Sequence, residues 1–229
     1  MQEGYTKSDI HNMLAEASNN MPIFYKQGFV NYKGRTSDTN ERYTEVTAEW
    51  LLARLDLLES IPTITRENTY KTPSHDGIHL NNKSNREEEI IAMEVFRQGT
   101  LPILGTVLDY QTPLKNKSSD CAGKIDLLSY DGRTLRILEL KEPDSKESML
   151  RCVLEGYTYL KTVNIEKLLK DFELPLNTNV LASPLVFQNK AQHNEMQENH
   201  IWLKKLMLEL DCKPYYISKT GNKYEIKEE

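Results

Sequence analysis

Apolar residues change their spacing along this chain from a helical period to a period of two and back, and each change marks an element. Helical spacing covers residues 8–17 and 47–58; in the second, Leu51, Leu55 and Leu58 form the stripe and Thr47 is the expected cap. A polar stretch over residues 31–40 separates them. Asn85-Arg86-Glu87-Glu88-Glu89 leads into Ile90 through Phe96 as another helix, with Ser84 or Asn85 as cap and acids in the first turn, where the helix dipole favours them. Residues 101–108 and 109–112 read as a first strand, followed by a hairpin. Residues 146–162 then read as a helix burying Leu150, Val153, Leu154, Tyr157 and Leu160. This helix is a crossover to a strand of residues 180–182 and 185–187, in which Pro184 predicts a break, a bulge or a place near the edge. Trp202, Leu206 and Leu210 mark a covering helix, with a hairpin after it. The expected class is α/β, a mixed sheet flanked by helices in the order αβββαβ. Residues 1–80 form a mainly helical extension packed on a core of residues 81–229.

Charge interrupts this pattern at one place. Gly123-Lys124-Ile125-Asp126-Leu127-Leu128 and Ile137-Leu138-Glu139-Leu140-Lys141 put two carboxylates and an ammonium into neighbouring apolar strands. An unpaired charge in a half-buried sheet costs several kcal/mol, so such residues are usually excluded or paired. Two converging carboxylates make a hard, oxygen-lined site suited to Mg²⁺ or Mn²⁺, and a nearby Lys can steady a hydroxide or a developing phosphorane charge. Between the strands, Asp131-Gly132 is a hairpin signal for a two-residue type I′ turn. That turn sets Tyr130 opposite Arg133 and Asp126 opposite Ile137. Asp126, Glu139 and Lys141 then share one face, with Asp126 and Glu139 as diagonal neighbours roughly 7 to 8 Å apart.

Spacing alone is cheap, since Glu-x-Lys arises roughly once by chance in a chain of this size. Asp211, Glu225 and Lys227 repeat almost the same arrangement around Thr220-Gly221-Asn222. Asp211, however, ends a helical pattern instead of lying in a strand, and Lys227 is followed only by two glutamates.

Asp126, Glu139 thirteen residues on, and Lys141, on a hairpin between two helices, resemble the motif of the PD-(D/E)XK nuclease superfamily. The resemblance covers about residues 85–190 and implies a restriction-endonuclease-like core. It also implies that Asp126, Glu139 and the Leu140 carbonyl hold the metal while Lys141 positions the water. Ile125 stands where the motif nominally has Pro. Many members bring a Glu from the preceding helix to the metal, a role that falls on Glu88, three and four residues before the core-facing Ile91 and Ala92, with Glu87 as substitute. Dipole complement is the other reading of these acids. In several branches the following helix carries a polar pair near the scissile phosphate; Arg151 and Glu155 are the candidates, with an i,i+4 ion pair as the alternative. Lys115, Lys117 and Lys124 are candidate phosphate contacts, or a solvated loop.

Composition narrows the setting. The chain has 229 residues, 38% apolar and 28% charged, with a net charge of −5. The balance argues against broad affinity for nucleic acid while leaving room for a local basic groove. No apolar run of membrane-spanning length and no signal peptide is apparent, and Cys121, Cys152 and Cys212 lack metal-type spacing, so no membrane association and a reducing cytoplasm are expected. His75, Asp76 and His79 sit in a Pro/Gly-punctuated loop, and His193 and His200 are spaced too widely to share one ion. Two functions follow: a Mg²⁺- or Mn²⁺-dependent nuclease acting on nucleic acid, DNA before RNA, or a catalytically silent module of the same fold that binds nucleic acid or a protein. Isologous dimers are common among cutters of duplex DNA, so a homodimer stays open.

Overall fold

The computed structural model describes residues 4–75, 87–116 and 123–227. The expected caps Ser84 and Asn85, together with Asp76, His79, Lys117 and Cys121, lie outside them. Helix α1 (Lys7–Ala17) starts where Thr6 Oγ1 accepts the Asp9 amide at 3.1 Å while Asp9 reaches back to the Thr6 amide at 2.8 Å. Two 3₁₀ segments, Ser18–Lys26 and Gly28–Asn31, follow. In place of one helix over 47–58 stand α2 (Tyr43–Leu52) and α3 (Leu55–Glu59), separated where Arg54 leaves helical geometry at φ −146°. Thr47 is therefore not the cap: it is buried inside α2, and its hydroxyl has no partner among the described residues.

After α4 (Glu87–Gln98) come β1 (Thr100–Leu101) and β2 (Gly105–Pro113). The single strand expected over 101–112 is thus turned at residues 102–104 and bulged between Val107 and Asp109. Strands β3 (Lys124–Tyr130) and β4 (Thr134–Leu140) form the hairpin. Helix α5 (Met149–Thr162) opens three residues later than the apolar period suggested, because the Ser148 hydroxyl caps it by accepting the Arg151 amide at 3.1 Å. Then follow α6 (Ile165–Asp171), β5 (Asn179–Phe187), α7 (Ala191–Gln197), α8 (Ile201–Glu209), β6 (Tyr215–Thr220) and β7 (Lys223–Lys227).

The described strands make one mixed sheet in the order β1-β2-β3-β4-β5-β6-β7. Pairing is antiparallel from β1 to β4 and between β6 and β7, and parallel at β4–β5 and β5–β6. Alternation along β4 fills both faces. Leu135 and Ile137 join the cluster of Leu150 and Val153 from α5, whereas Leu138 and Leu140 join that of Ile91 and Val95 from α4. The α5 layer also holds Ile10, Leu14, Leu51 and Leu58. Burying each such side chain contributes about 1.5–3 kcal/mol. The N-terminal helices are tied in by Glu45, whose two oxygens accept the amides of Trp202 and Leu203 at 2.9 and 3.0 Å, capping α8.

The hairpin register differs from that of a two-residue Asp131-Gly132 turn. Tyr130 pairs with Leu135 and Leu128 with Ile137, a slip of two residues along β4. Asp131 explains it: its Oδ1 accepts the amides of Arg133 and Thr134, both at 2.9 Å, building a longer turn in which Gly132 takes φ 97°. A slip of two preserves facing, so Asp126 keeps the side of Ile137 and Glu139. Asp126 now falls opposite Glu139 when the register is continued, instead of diagonal to it.

Pro184 lies within β5 between two neighbours and not at a sheet edge. Lys141 N donates to Leu185 O at 3.1 Å, so the polar groups of Leu185 face β4 and those of Pro184 face the other way. There β6 pairs only from Leu185 onward, and the missing N–H leaves no gap in a ladder. The second Asp-Glu-Lys set is dispersed: Asp211 sits in the turn after α8 and Glu225 and Lys227 on β7, all exposed. Among the described residues no helix is long and apolar enough to cross a membrane.

Removing the stranded hydroxyl while keeping its shape should help the fold. Thr47→Val is expected to raise unfolding free energy by about 1 kcal/mol in urea titration, whereas loss of a genuine cap would lower it by a similar amount.

Candidate active site

Backbone pairing of β3 with β4 runs as far as Leu127 and Leu138. One step on, a side chain takes over: Asp126 Oδ2 accepts the Leu140 amide at 2.9 Å. Its Oδ1 accepts from Gln111 Nε2, also at 2.9 Å. Gln111 stands opposite Asp126 on β2, flanked by the pairs Tyr110–Leu127 and Thr112–Ile125. Its φ of 48° is left-handed, a conformation that costs a non-glycine residue about 1–3 kcal/mol and clusters at functional sites.

Glu139 faces α5 at Gly156, where an added Cβ would come 3.4 Å from its own Cβ. Its Oε1 accepts from Lys141 Nζ at 2.7 Å; its Oε2 is buried with no hydrogen-bond partner among the described residues. Lys141 is only 4% exposed. Besides Glu139, its ammonium approaches Glu147 Oε2 at 3.0 Å, Glu155 Oε2 at 3.6 Å and Glu88 Oε1 at 3.8 Å. Glu155 in turn accepts from the Tyr159 hydroxyl at 2.8 Å and Arg151 Nε at 3.3 Å. The backbone of Gly123 passes over that phenol so closely that a Cβ would lie 2.3 Å from its oxygen.

Negative charge exceeds positive here. Five carboxylates, those of Asp126, Glu139, Glu88, Glu147 and Glu155, surround the cations Lys141 and Arg151. Burial pushes the Asp126 carboxyl up to about 7, partly offset by Lys141, and pushes Glu139 well above the carboxylate range. Burial likewise raises Glu88. Burial opposes the charge of Lys141 too, yet Glu139 and the surrounding acids outweigh it and hold the ammonium well above its ordinary value. Glu155 moves down because Lys141 and Arg151 together overcome its burial.

Asp126 and Glu88 open onto a cleft of about 710 Å³, with Glu87, Gln111 and Glu147 on its wall. Lys115 and Lys124 line it as well, as does Lys146, so two of the three loop lysines are placed beside the carboxylates. Arg151 is not on that wall; it lies over the Tyr25 ring at 5.0 Å, in i,i+4 pairing with Glu155 and extending to Glu147 at 3.6 Å. Glu155 faces the Lys141 cluster instead of the cleft. His75 is bound elsewhere, its Nδ1 2.6 Å from the buried Asp109 and its ring stacked on Tyr110. His193 packs edge-on against Tyr216, while His200 lies 3.4 Å from Glu45. Cys152 and Cys212 are buried free thiols.

The donor set fits a hard divalent cation in chemistry: carboxylates in excess, buried oxygens of Glu139 and Glu147 without a hydrogen-bond donor among the described residues, and raised acids that such a charge would relieve. Asp126, Glu139, Glu88 and the Leu140 carbonyl are the groups that would hold it. Among the described residues, no three His, Cys, Asp or Glu side chains are gathered to hold an ion as they stand; the acids converge on the ammonium instead.

Sequence reasoning missed Gln111, Glu147, Tyr159 and Gly123. Tyr159 had a readable signal, standing one helical turn after Glu155. Gln111 had none, because its role depends on a backbone excursion inside a strand.

Lys141→Met is expected to destabilise the fold by about 3–5 kcal/mol at neutral pH, read by denaturant unfolding, because it strands buried carboxylates. For Asp126, the folded-state value lies above the unfolded one. Its contribution is therefore full below about pH 4 and is lost as pH rises through about 7. In chelator, Asp126→Asn should accordingly gain stability over the parent progressively across that interval; a difference that stays flat with pH would refute the perturbed carboxyl. A comparison with protein-family models, with curated proteins and with solved structures finds no match to this chain.

Proposed function

We propose that this chain is a Mg²⁺- or Mn²⁺-dependent nuclease of the PD-(D/E)XK kind, hydrolysing phosphodiester bonds of nucleic acid, DNA in the first instance. The observation that carries the reading is the convergence of Asp126, Glu139, Glu88 and Lys141 from three elements, with Asp126 and Glu88 on the wall of one cleft and Glu139 and Lys141 buried behind them. The order α4, β2, β3, β4, α5, β5, with the short β1 and α6 inserted in it, supports a restriction-endonuclease-like core. A bound divalent ion would supply Lewis-acid stabilisation of the phosphate charge. The chain's own groups have separate tasks. Asp126 and Glu139 bind, Gln111 and the Leu140 amide orient Asp126, and Lys141 holds the attacking water by a hydrogen bond from Nζ. Lys115, Lys124 and Lys146 attract phosphates to a cleft that the acids would otherwise close to a polyanion.

A silent binding module is the second reading, favoured by the saturation of Lys141 with carboxylates. Metal-dependent cleavage separates the two. The parent chain should cut DNA in Mg²⁺ or Mn²⁺, and Asp126→Ala and Lys141→Ala should each slow it at least about a hundredfold. No cleavage, together with no heat of metal binding, would leave the binding module. Cleavage indifferent to both substitutions would remove these residues from the mechanism.

A further inference from the structure

A second cavity, of about 230 Å³, lies beside the first. Its wall takes Tyr32 and Lys33 from the segment before α2, Asn194 and Glu195 from α7, and Glu147. Glu147 belongs to both cavities, and its Oε2 is 3.0 Å from Lys141 Nζ, so the second cavity begins one side chain from the ammonium. We propose that it receives an unpaired nucleobase next to the scissile phosphate, which makes single-stranded nucleic acid the substrate class. The inference rests on the nuclease reading for the position of that phosphate.

Three features match that ligand. Tyr32 is a fixed aromatic residue on the cavity wall: one face of its ring is taken by Tyr5, stacked at 5.3 Å with 1° between planes, and Tyr43 meets it at 5.7 Å, which leaves to a base the part that lines the cavity. Stacking on such a ring is tolerant of base identity. Hydrogen-bonding groups face the same space in a donor and acceptor set. The Asn194 amide is exposed with no hydrogen bond to described residues, and Glu195 uses Oε2 for the Met149 amide at 2.8 Å, leaving Oε1 as acceptor. An amide beside a carboxylate complements a base edge carrying an amine next to a ring acceptor. Lys33 is exposed and in no ion pair among the described residues; its charge reaches Glu195 across the cavity and is placed to meet the phosphate of the inserted nucleotide. A base inside a duplex presents neither its face nor its pairing edge, and extruding it costs a few kcal/mol, so a paired strand enters less readily.

The test uses the full chain with Asp126→Asn to stop cleavage, in Mg²⁺, and a fluorescein-labelled single-stranded oligodeoxynucleotide beside its duplex. Tyr32→Ala should weaken single-strand binding about tenfold or more, and Asn194→Ala and Lys33→Glu about fivefold, with smaller losses on the duplex. Asn194 and Lys33 are surface positions, so these two variants keep the test valid if Tyr32→Ala fails to fold. Single-strand affinity within about twofold of the parent for both, or equal losses on the duplex, would overturn the subsite. Hydrolysis of bis(4-nitrophenyl) phosphate, which has no base, is measured separately on the chain with Asp126 intact. Hydrolysis with indifferent oligonucleotide binding removes the subsite and leaves the nuclease; selective losses without hydrolysis do the reverse. No hydrolysis and no binding removes both.

Discussion

The buried ammonium of Lys141 is the interaction on which the rest of this structure turns. Taking a lysine charge out of water costs several kcal/mol unless opposite charge comes with it. Four carboxylates answer that cost, and they come from different places: Glu139 from the same strand, Glu88 from the first turn of α4, Glu147 from the loop after β4, and Glu155 from α5. The ion cluster therefore binds both helical layers to the end of one strand. It also overshoots. Asp126 and Glu139 sit in more negative charge than one lysine and one arginine balance, which is why burial can hold both carboxyls far above their ordinary range.

The sheet supplies the geometry for this arrangement at its own expense. The β3–β4 ladder gives up a backbone partner so that the Asp126 carboxylate can accept the Leu140 amide, and Gln111 is held left-handed beside it. Both departures from regular strand structure fall on one residue pair. Elsewhere β2 is bulged between Val107 and Asp109, and Pro184 is placed where its missing donor breaks no ladder. A left-handed residue and a side chain in place of a ladder partner, both at one carboxylate, are what a site held in place by its scaffold requires.

Packing extends the site beyond the hairpin. Gly123 and Gly156 let Tyr159 and α5 approach closely, and Tyr159 fixes Glu155 by a hydrogen bond. The N-terminal segment reaches the same region through Asn31, which accepts the Ser148 amide at 3.0 Å at the start of α5. This brings Tyr32 and Lys33 to the far side of Glu147. Residues of the N-terminal segment thus contribute part of the wall of the second cavity as well as part of the α5 layer.

The sequence by itself determined the hairpin, the helices on either side of it and, given an even register, the facing of the charged residues, while α3, α6, α7 and the 3₁₀ segments were not read from it. Period-two alternation survives a register slip of two, so Asp126, Glu139 and Lys141 share a face in the expected two-residue turn and in the longer one observed, whereas an odd slip would have turned Asp126 away. The α/β class was legible for the same reason, since hydrophobic period is a local property. What only the tertiary structure decided were register and partnership. The Asp131 side chain, by capping two amides, lengthened the turn and moved Asp126 from a diagonal to a direct position relative to Glu139. Glu147 joins the two cavities, with Gln111 on the wall of one and Tyr32 on the wall of the other, through contacts between segments far apart in the chain. No local pattern encodes those contacts, because they depend on where the whole sheet and its helices bring the ends of strands together.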